Sequence, residues 1–493
     1  MSGSAGRTYE TVIGVEVHVQ LRTATKMYCG CSTRFGADPN TQVCPVCLGL
    51  PGSLPVANRA AVELAVRAAV SLGCRVHARS EFVRKNYFYP DLPKGYQITQ
   101  FEYPLATDGR VRVRLEGKER SVRIRRLHLE EDSGKSLHDR FAGSTAVDLN
   151  RAGVPLVEIV TEPDLRSPAE ARAYLVRLRQ LLKHFAAVSD CNMEEGSLRV
   201  DANLSVRPIG EEGMGTKTEV KNLNSFSQVE KALMFERSRH IRQLEAGGVV
   251  VQETRLFDAA RGETRSLRSK EEALDYRYFP EPDLPPLELE PDAAERARAM
   301  VGELPDQLES RFMEGHGLSE YDAALVSANP GRARYFEEVV DGNGPDFAKA
   351  TVNLMMGRLA AELKRRDEAS EADLLPPERL RRVVELRLDG TLSSDTAGEV
   401  LDRLLSAKGA DLEVDDLVRA GGLAQVGDTD LLAGWIEAVI AGHPDEASRY
   451  AAGEDRLLGF FMGALMKEAS GRADPRKARA LLVERLARLR GGG

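Results

Sequence analysis

Four of the six cysteines fall within nineteen residues, as Cys29-x-Cys31 and Cys44-Pro45-Val46-Cys47. Two close pairs separated by a short loop can supply four thiolates to a tetrahedral Zn²⁺. Four protein ligands leave no open coordination position, so such a zinc is expected to be structural rather than catalytic. Buried or free thiols are the alternative. Cys74 and Cys191 stand alone and read as packing residues.

Carboxylates and histidines supply the next signal. The segment Tyr9 to Leu21 alternates with period two, which places Val15, Val17, Val19 and Leu21 on one face and Glu16, His18 and Gln20 on the other. Glu16 and His18 on a common face have the geometry of two metal ligands or an acid–base pair; a plain solvent-facing strand would look the same. Glu130-Glu131-Asp132 follows a predicted strand ending in Leu127-His128-Leu129. Three consecutive carboxylates could hold Mg²⁺, which prefers hard oxygen ligands, or could form an acidic turn. The run from Lys85 to Gln97 interleaves Lys, Tyr and Phe with turn formers. That mixture suits phosphate contact and base stacking, and equally a packed loop. Gly134-Lys135-Ser136 is not a phosphate loop, because the required upstream glycine position holds Leu129. Gly210, Gly213 and Gly215 do not make a dinucleotide fingerprint either.

The elements that must carry these residues divide the 493-residue chain in two. Up to about residue 290 the pattern is mixed α/β. A helix is predicted over Asn58–Leu72 and alternating strands over 110–128 and 197–207. Glu219–Phe226 is predicted to add a further strand. Ser167-Pro168-Ala169-Glu170 reads as a capping box with proline at the first helical position. Five prolines between 280 and 291 suit a stiff linker. Beyond them helical periodicity dominates, with a second break near 406–411. Around Gly471 one helix is expected to end and another to begin at Pro475. Arg456 to Arg490 holds nine Lys or Arg against three Asp or Glu, as an RNA-contacting or simply solvated face would. The predicted fold class is multidomain α+β: a mixed α/β domain with a zinc loop over 1–292, an all-α domain over 293–406 and a small all-α domain over 407–493.

Net charge is −8, which argues against non-specific coating of nucleic acid. No apolar run approaches the length of a membrane helix, and the polar first residues lack the apolar stretch of a signal peptide. A cytoplasmic location is expected.

Several longer words give the sequence a resemblance. Ile13-Gly-Val-Glu-Val-His-Val-Gln-Leu21, Arg84-Lys-Asn-Tyr-Phe-Tyr-Pro-Asp91 and Leu127-His-Leu-Glu-Glu-Asp-Ser-Gly-Lys135 are followed by Asp148-Leu-Asn-Arg-Ala-Gly-Val-Pro-Leu156 and Glu158-Ile-Val-Thr-Glu-Pro163. Met193-Glu-Glu-Gly-Ser-Leu-Arg-Val-Asp-Ala-Asn203, Glu219-Val-Lys-Asn-Leu-Asn-Ser-Phe226 and Asp275-Tyr-Arg-Tyr-Phe-Pro-Glu-Pro-Asp283 complete the series. In this order, from about residue 8 to 490, the chain resembles the GatB family of tRNA amidotransferase subunits, and its four cysteines resemble the zinc-bearing branch.

The resemblance implies a "cradle" domain, a helical domain and a YqeY-like, tRNA-binding tail, working with a GatA-type amidase and a small GatC-type subunit. It implies ATP-dependent phosphorylation of the misacylated side chain of Glu-tRNA(Gln) or Asp-tRNA(Asn), then displacement by ammonia. Glu16, His18 and Glu131 match the family's Mg²⁺-binding and catalytic positions. Glu158 and Asp201 add to that set, and Lys85 is the expected phosphate contact. ATP, Mg²⁺ and a structural Zn²⁺ on Cys29, Cys31, Cys44 and Cys47 are the implied cofactors. A non-enzymatic zinc-bearing RNA-binding protein is the competing reading.

Overall fold

Nine strands form one sheet in the first part of the chain. They are β1 (Tyr9–Gln20), β2 (Arg75–Val76), β3 (Ala106–Leu115), β4 (Lys118–Glu131), β5 (Pro155–Thr161), β6 (Leu198–Pro208), β7 (Thr218–Lys221), β8 (Glu253–Asp258) and β9 (Glu263–Ser269). Their order is β9-β8-β7-β6-β1-β5-β4-β3-β2. The computed structural model describes residues 8–269, 275–366, 370–406, 412–425, 429–469 and 473–490. Two compact units result, Met1–Leu304 and Pro305–Gly493.

Strand β1 sits at the centre because both its edges are apolar-patterned neighbours: it pairs antiparallel with β5 on one side and β6 on the other. Val15, Val17 and Val19 are buried, as are Ile159, Val157, Val200 and Leu198 opposite them. This face is covered by α1 (Arg59–Ser71), α2 (Pro168–Gln180) and α3 (Phe226–Glu245). Asn58 caps α1 by accepting from the backbone amides of Ala60 and Ala61. Ser167 caps α2 through the Glu170 amide, while the Glu170 carboxylate turns back to the Arg166 amide. The tight approach of β3 to the end of α1 needs glycine at 109, where a β-carbon would run into Cys74 Sγ and the Leu72 carbonyl. Cys74 and Cys191 are buried and unbridged.

The strand expected over Glu219–Phe226 is shorter than its pattern suggests. It ends at Lys221, since Asn222 turns the chain with φ of 63° and Ser225 already caps α3. Helix α4 (Ala293–Val301), beyond the proline run, packs against α1 within the first unit. That run is pinned by Glu281, whose fully buried carboxylate takes a two-pronged contact from Arg84 at 2.7 and 2.8 Å.

The second unit is helical throughout its described residues, from Pro305–His316 to Pro475–Arg490. The break expected near 406–411 falls on residues 407–411, outside those described, as does Gly471. The last helix begins at Pro475 as predicted, with Asp474 accepting from the amides of Arg476 and Lys477. Its Leu482 and Leu486 are buried in one cluster with Phe461 and Leu465.

Candidate active site and metal centres

The sheet face left uncovered by helices is polar, and strand register determines what it brings together. His18 lies opposite Glu158 on β5 and opposite Arg199 on β6. Glu158 in turn lies opposite His128 on β4. One row across four strands therefore reads His128, Glu158, His18, Arg199. Residues directly opposite in antiparallel strands share a face. Glu16, opposite Asp201, lies on the neighbouring row. These groups line a cleft of about 720 Å³ together with Lys85, Glu130, Glu219, Lys221 and a wall of Tyr87, Tyr276 and Tyr278.

The distances are those of a coupled cluster. His18 Nε2 is 3.5 Å from Glu130 Oε1 and 3.7 Å from Glu158 Oε2. His128 Nε2 is 3.1 Å from Glu158 Oε2. Burial and the neighbouring Glu158 push the Glu130 carboxyl up to about 8. Glu158 is buried too, which would raise it, but His128, His18 and Lys85 outweigh burial and hold it low. The opposed shifts make Glu130 the more readily protonated of the two carboxyls. Burial lowers His18 and favours its neutral form. Glu16 is raised by burial and by Glu158. Desolvation disfavours the half-buried Lys85 ammonium, but the surrounding acidic groups outweigh it and hold Lys85 above the ordinary lysine value. Asp201 is tied to Lys221 at 2.5 Å. Arg199 donates to Asp132 at 2.9 Å.

Glu131 does not join this group. Its carboxylate accepts from Lys94 Nζ and from the Ile98 amide, on the opposite side of β4. The expected trio of Glu16, His18 and Glu131 is therefore not the one brought together: adjacent residues of a strand point to opposite faces, and Glu130 is the one facing His18. His18, Glu130 and Glu158 present ligand atoms within 4.8 Å of one another. Two carboxylate oxygens suit Mg²⁺, while the imidazole nitrogen would also suit Mn²⁺. The sequence reading offered Glu130 within the Glu130-Glu131-Asp132 run but chose Glu131 from it, and it missed His128 and Arg199 as site residues. The alternation His128-x-Glu130, which repeats Glu16-x-His18, was the signal that could have found His128 and Glu130.

The four cysteines converge. The ligand sulfurs of Cys29, Cys31, Cys44 and Cys47 lie within 4.8 Å of one another, with Cys44 and Cys47 sulfurs 3.9 Å apart. A tetrahedral site with Zn–S bonds of about 2.3 Å requires sulfurs about 3.8 Å apart. The Cys44–Cys47 turn is closed by the Leu48 amide on the Cys44 carbonyl at 3.0 Å, and the Cys44 amide donates to Cys47 Sγ at 3.2 Å. Lys26 is fully buried. Its ammonium reaches the Gln42 carbonyl at 2.7 Å, the Leu149 carbonyl at 3.3 Å and Cys47 Sγ at 3.6 Å. The Cys29 thiol, the Cys44 amide and Lys26 draw Cys47 down against the opposing effect of burial and so favour its thiolate. A buried cation beside four thiolates offsets the net negative charge of a Zn(Cys)₄ centre.

A groove of about 850 Å³ between α1 and residues 287–300 carries surface pairs such as Arg59–Glu63 rather than converging ligands. No helix among the described residues is long and apolar enough to cross a membrane.

Comparison with known proteins gives a consistent result. Residues 11–295 match the family model described as the GatB/GatE catalytic domain, and residues 334–486 match the GatB domain. The corresponding aspartyl/glutamyl-tRNA(Asn/Gln) amidotransferase subunit from Alkalilimnicola ehrlichii is 49% identical, covering 97% of this chain and 99% of its own. The protein of the same name from Anaeromyxobacter dehalogenans is 50% identical over the same shares. That from Moorella thermoacetica is 49% identical, covering 97% of this chain and all of its own.

Proposed function

Since the chain belongs to the GatB family, we propose that it is the component of a glutamine-dependent tRNA amidotransferase that activates the side chain of Glu-tRNA(Gln) or Asp-tRNA(Asn) with ATP. The observation that carries this reading is the row His128, Glu158, His18, Arg199, flanked by Glu130 and Lys85 on an open sheet face. A non-enzymatic RNA-binding role would leave these buried, mutually adjusted carboxyls without a purpose.

A carboxylate is a poor electrophile. Its oxygen attacks the γ-phosphorus in line, ADP leaves, and the acyl phosphate formed is open to ammonia at its carbonyl carbon; inorganic phosphate departs with the former carboxylate oxygen. Lys85, Arg199 and Lys221 line the cleft and are suited to drawing in and neutralising phosphate and carboxylate oxygens. Glu130 and Glu158, with His18, would hold Mg²⁺, which when bound screens the phosphates and aligns the attack. Glu16 and Asp201 support the set from the next row, and Asp201 also positions Lys221. Glu131, paired with Lys94, stands behind the site. The cysteine loop would hold its zinc as a structural clamp. Ammonia would come from an amidase subunit, with a small third subunit completing the complex. The tail, with its basic last helix, would grip the tRNA body. The domains expected at 1–292, 293–406 and 407–493 would divide these tasks.

Reconstituting the complex with its amidase and small partner, and supplying ammonium chloride in place of glutamine, isolates this step. Amidated tRNA is expected with ATP and Mg²⁺ present and not without either. Absence of product with both Glu-tRNA(Gln) and Asp-tRNA(Asn) would overturn the proposal.

The proton on Glu130 adds a pH dependence. Metal binding must displace it, so the Mg²⁺ concentration giving half-maximal rate is expected to fall about tenfold per pH unit up to about 8 and then level off. A Mg²⁺ requirement that is flat from pH 6.5 to 9 would contradict the assignment of Glu130 as a ligand.

A further inference from the structure

The β3–β4 ribbon carries a strong local charge. Between Ala106 and Arg126 there are eight Lys or Arg against three Asp or Glu, in a chain whose net charge is −8. Register shows which face they occupy. Val160 pairs with Arg126 but Thr161 pairs with Ile124, an irregularity that shifts the alternation of β4 by one. Val122 and Ile124 consequently join Leu127 and Leu129 on the buried, helix-covered face. Arg123 is thrown onto the face of Arg126 and His128. On β3, Arg110 lies opposite Arg123, Arg112 opposite Ser121 and Arg114 opposite Glu119. All three β3 arginines are exposed. The open face that holds the carboxylate–histidine row therefore continues outward, without a change of side, into a stripe of guanidinium groups. Lys118 and Arg120 lie opposite Leu115 and Val113 on the other face, so the stripe runs from Arg126 to Arg114, which lies opposite Glu119, for about 23 Å at ~3.3 Å per residue.

We infer that this ribbon is a docking surface for the phosphate backbone of an RNA stem whose end enters the cleft. The inference rests on the reading of the cleft as the seat of an aminoacyl-tRNA's side chain, and it names the surface that would steer the acceptor stem there. Arginine's planar fork suits phosphate oxygens. The pair that holds Arg114 to Glu119 is a surface contact that costs little to exchange for phosphate, whereas Arg123 is held by a two-pronged contact to the half-buried Asp164.

Edge protection is the plainer explanation, because β3 beyond Thr107 has no strand partner on its outer side among the described residues. Charge of either sign would serve that purpose. Arg110, Arg112, Arg114, Arg123 and Arg126 against Glu119 on this face of the ribbon give it a strong positive excess aligned with the site, which is what phosphate recognition requires.

The test is the triple substitution Arg110→Gln/Arg112→Gln/Arg114→Gln in the assembled complex, with misacylated tRNA affinity read by anisotropy at several salt concentrations. A weakening of tenfold or more is expected, with the slope of log affinity against log salt shallower by about 2. The KM for ATP and the rate at saturating tRNA should stay as in the unaltered complex. Unchanged affinity and slope would overturn the inference. So would a variant that fails to assemble with its partner subunits, which would make the ribbon a protein interface, or one that aggregates while its soluble fraction binds tRNA normally. If the unaltered complex forms no product yet the variant loses tRNA affinity, the ribbon stands and the reaction assigned to the cleft falls.

Discussion

His18→Ala and Glu158→Gln are each expected to lower the ammonium-supported rate of tRNA amidation by about 10²–10³-fold, with tRNA affinity unchanged. The magnitude follows from position. Glu158 lies between the two histidines of its row, at 3.1 Å from His128 and 3.7 Å from His18. Replacing its charge with an amide keeps the shape of the pocket but removes the group that faces Lys85 and the two imidazoles. His18 lies 3.5 Å from Glu130 and 3.7 Å from Glu158, so its loss removes one of the three candidate ligands. Because the three act as one unit, the double variant should be no slower than the worse single variant by more than a few-fold. Glu131→Gln is the informative contrast. It leaves the row intact and breaks only the contact with Lys94 on the far side of β4, so a loss from it would reflect the region behind the site. Activity of both His18→Ala and Glu158→Gln within threefold of the unaltered complex would move the chemistry elsewhere.

The second large effect concerns the cysteine loop. Purified chain is expected to contain about one zinc, and Cys44→Ser/Cys47→Ser is expected to lose it and to lower the unfolding free energy of the first unit by about 3 kcal/mol or more. The double variant leaves Lys26 buried without the Cys47 sulfur beside it, and a buried cation that loses its partner is costly. The damage should spread. Tyr28, Cys29 and Cys47 share a small cavity with Lys94 and Glu131, so the loop braces the back of the strand whose front carries Glu130. Elemental analysis and urea unfolding check both parts. A metal content well below one per chain, or a double variant as stable as its parent, would count against the clamp.

How much of this could be read from the residues alone depended on the distance over which each feature is decided. The cysteine cluster was legible because its four thiols lie within nineteen residues. The polar face of β1 was legible because alternation is a local property, and Glu16 and His18 do face one cleft. Glu158, Asp201 and Lys85 line that same cleft. The choice between Glu130 and Glu131 was not settled by the cluster itself: which of two adjacent carboxyls faces inward depends on how β4 pairs with β5, a contact made across the chain. The same holds for the shift of alternation at Thr161 that turns the ribbon's arginines to the open face. The strand expected over Glu219–Phe226 stops short for a local reason, since Asn222 and Ser225 are turn and cap residues inside an otherwise apolar-alternating stretch.

The central claim is that this chain's cleft turns the misacylated side chain into an acyl phosphate, and oxygen transfer tests it most directly. Glu-tRNA(Gln) carrying ¹⁸O in both side-chain carboxylate oxygens would be converted by the complex with ATP and ammonium, and the released inorganic phosphate analysed by mass. One ¹⁸O per phosphate is the predicted result, because the oxygen that attacks the γ-phosphorus leaves with it. Product formed with phosphate free of label would contradict the claim and place the activation of the carboxylate outside phosphoryl transfer.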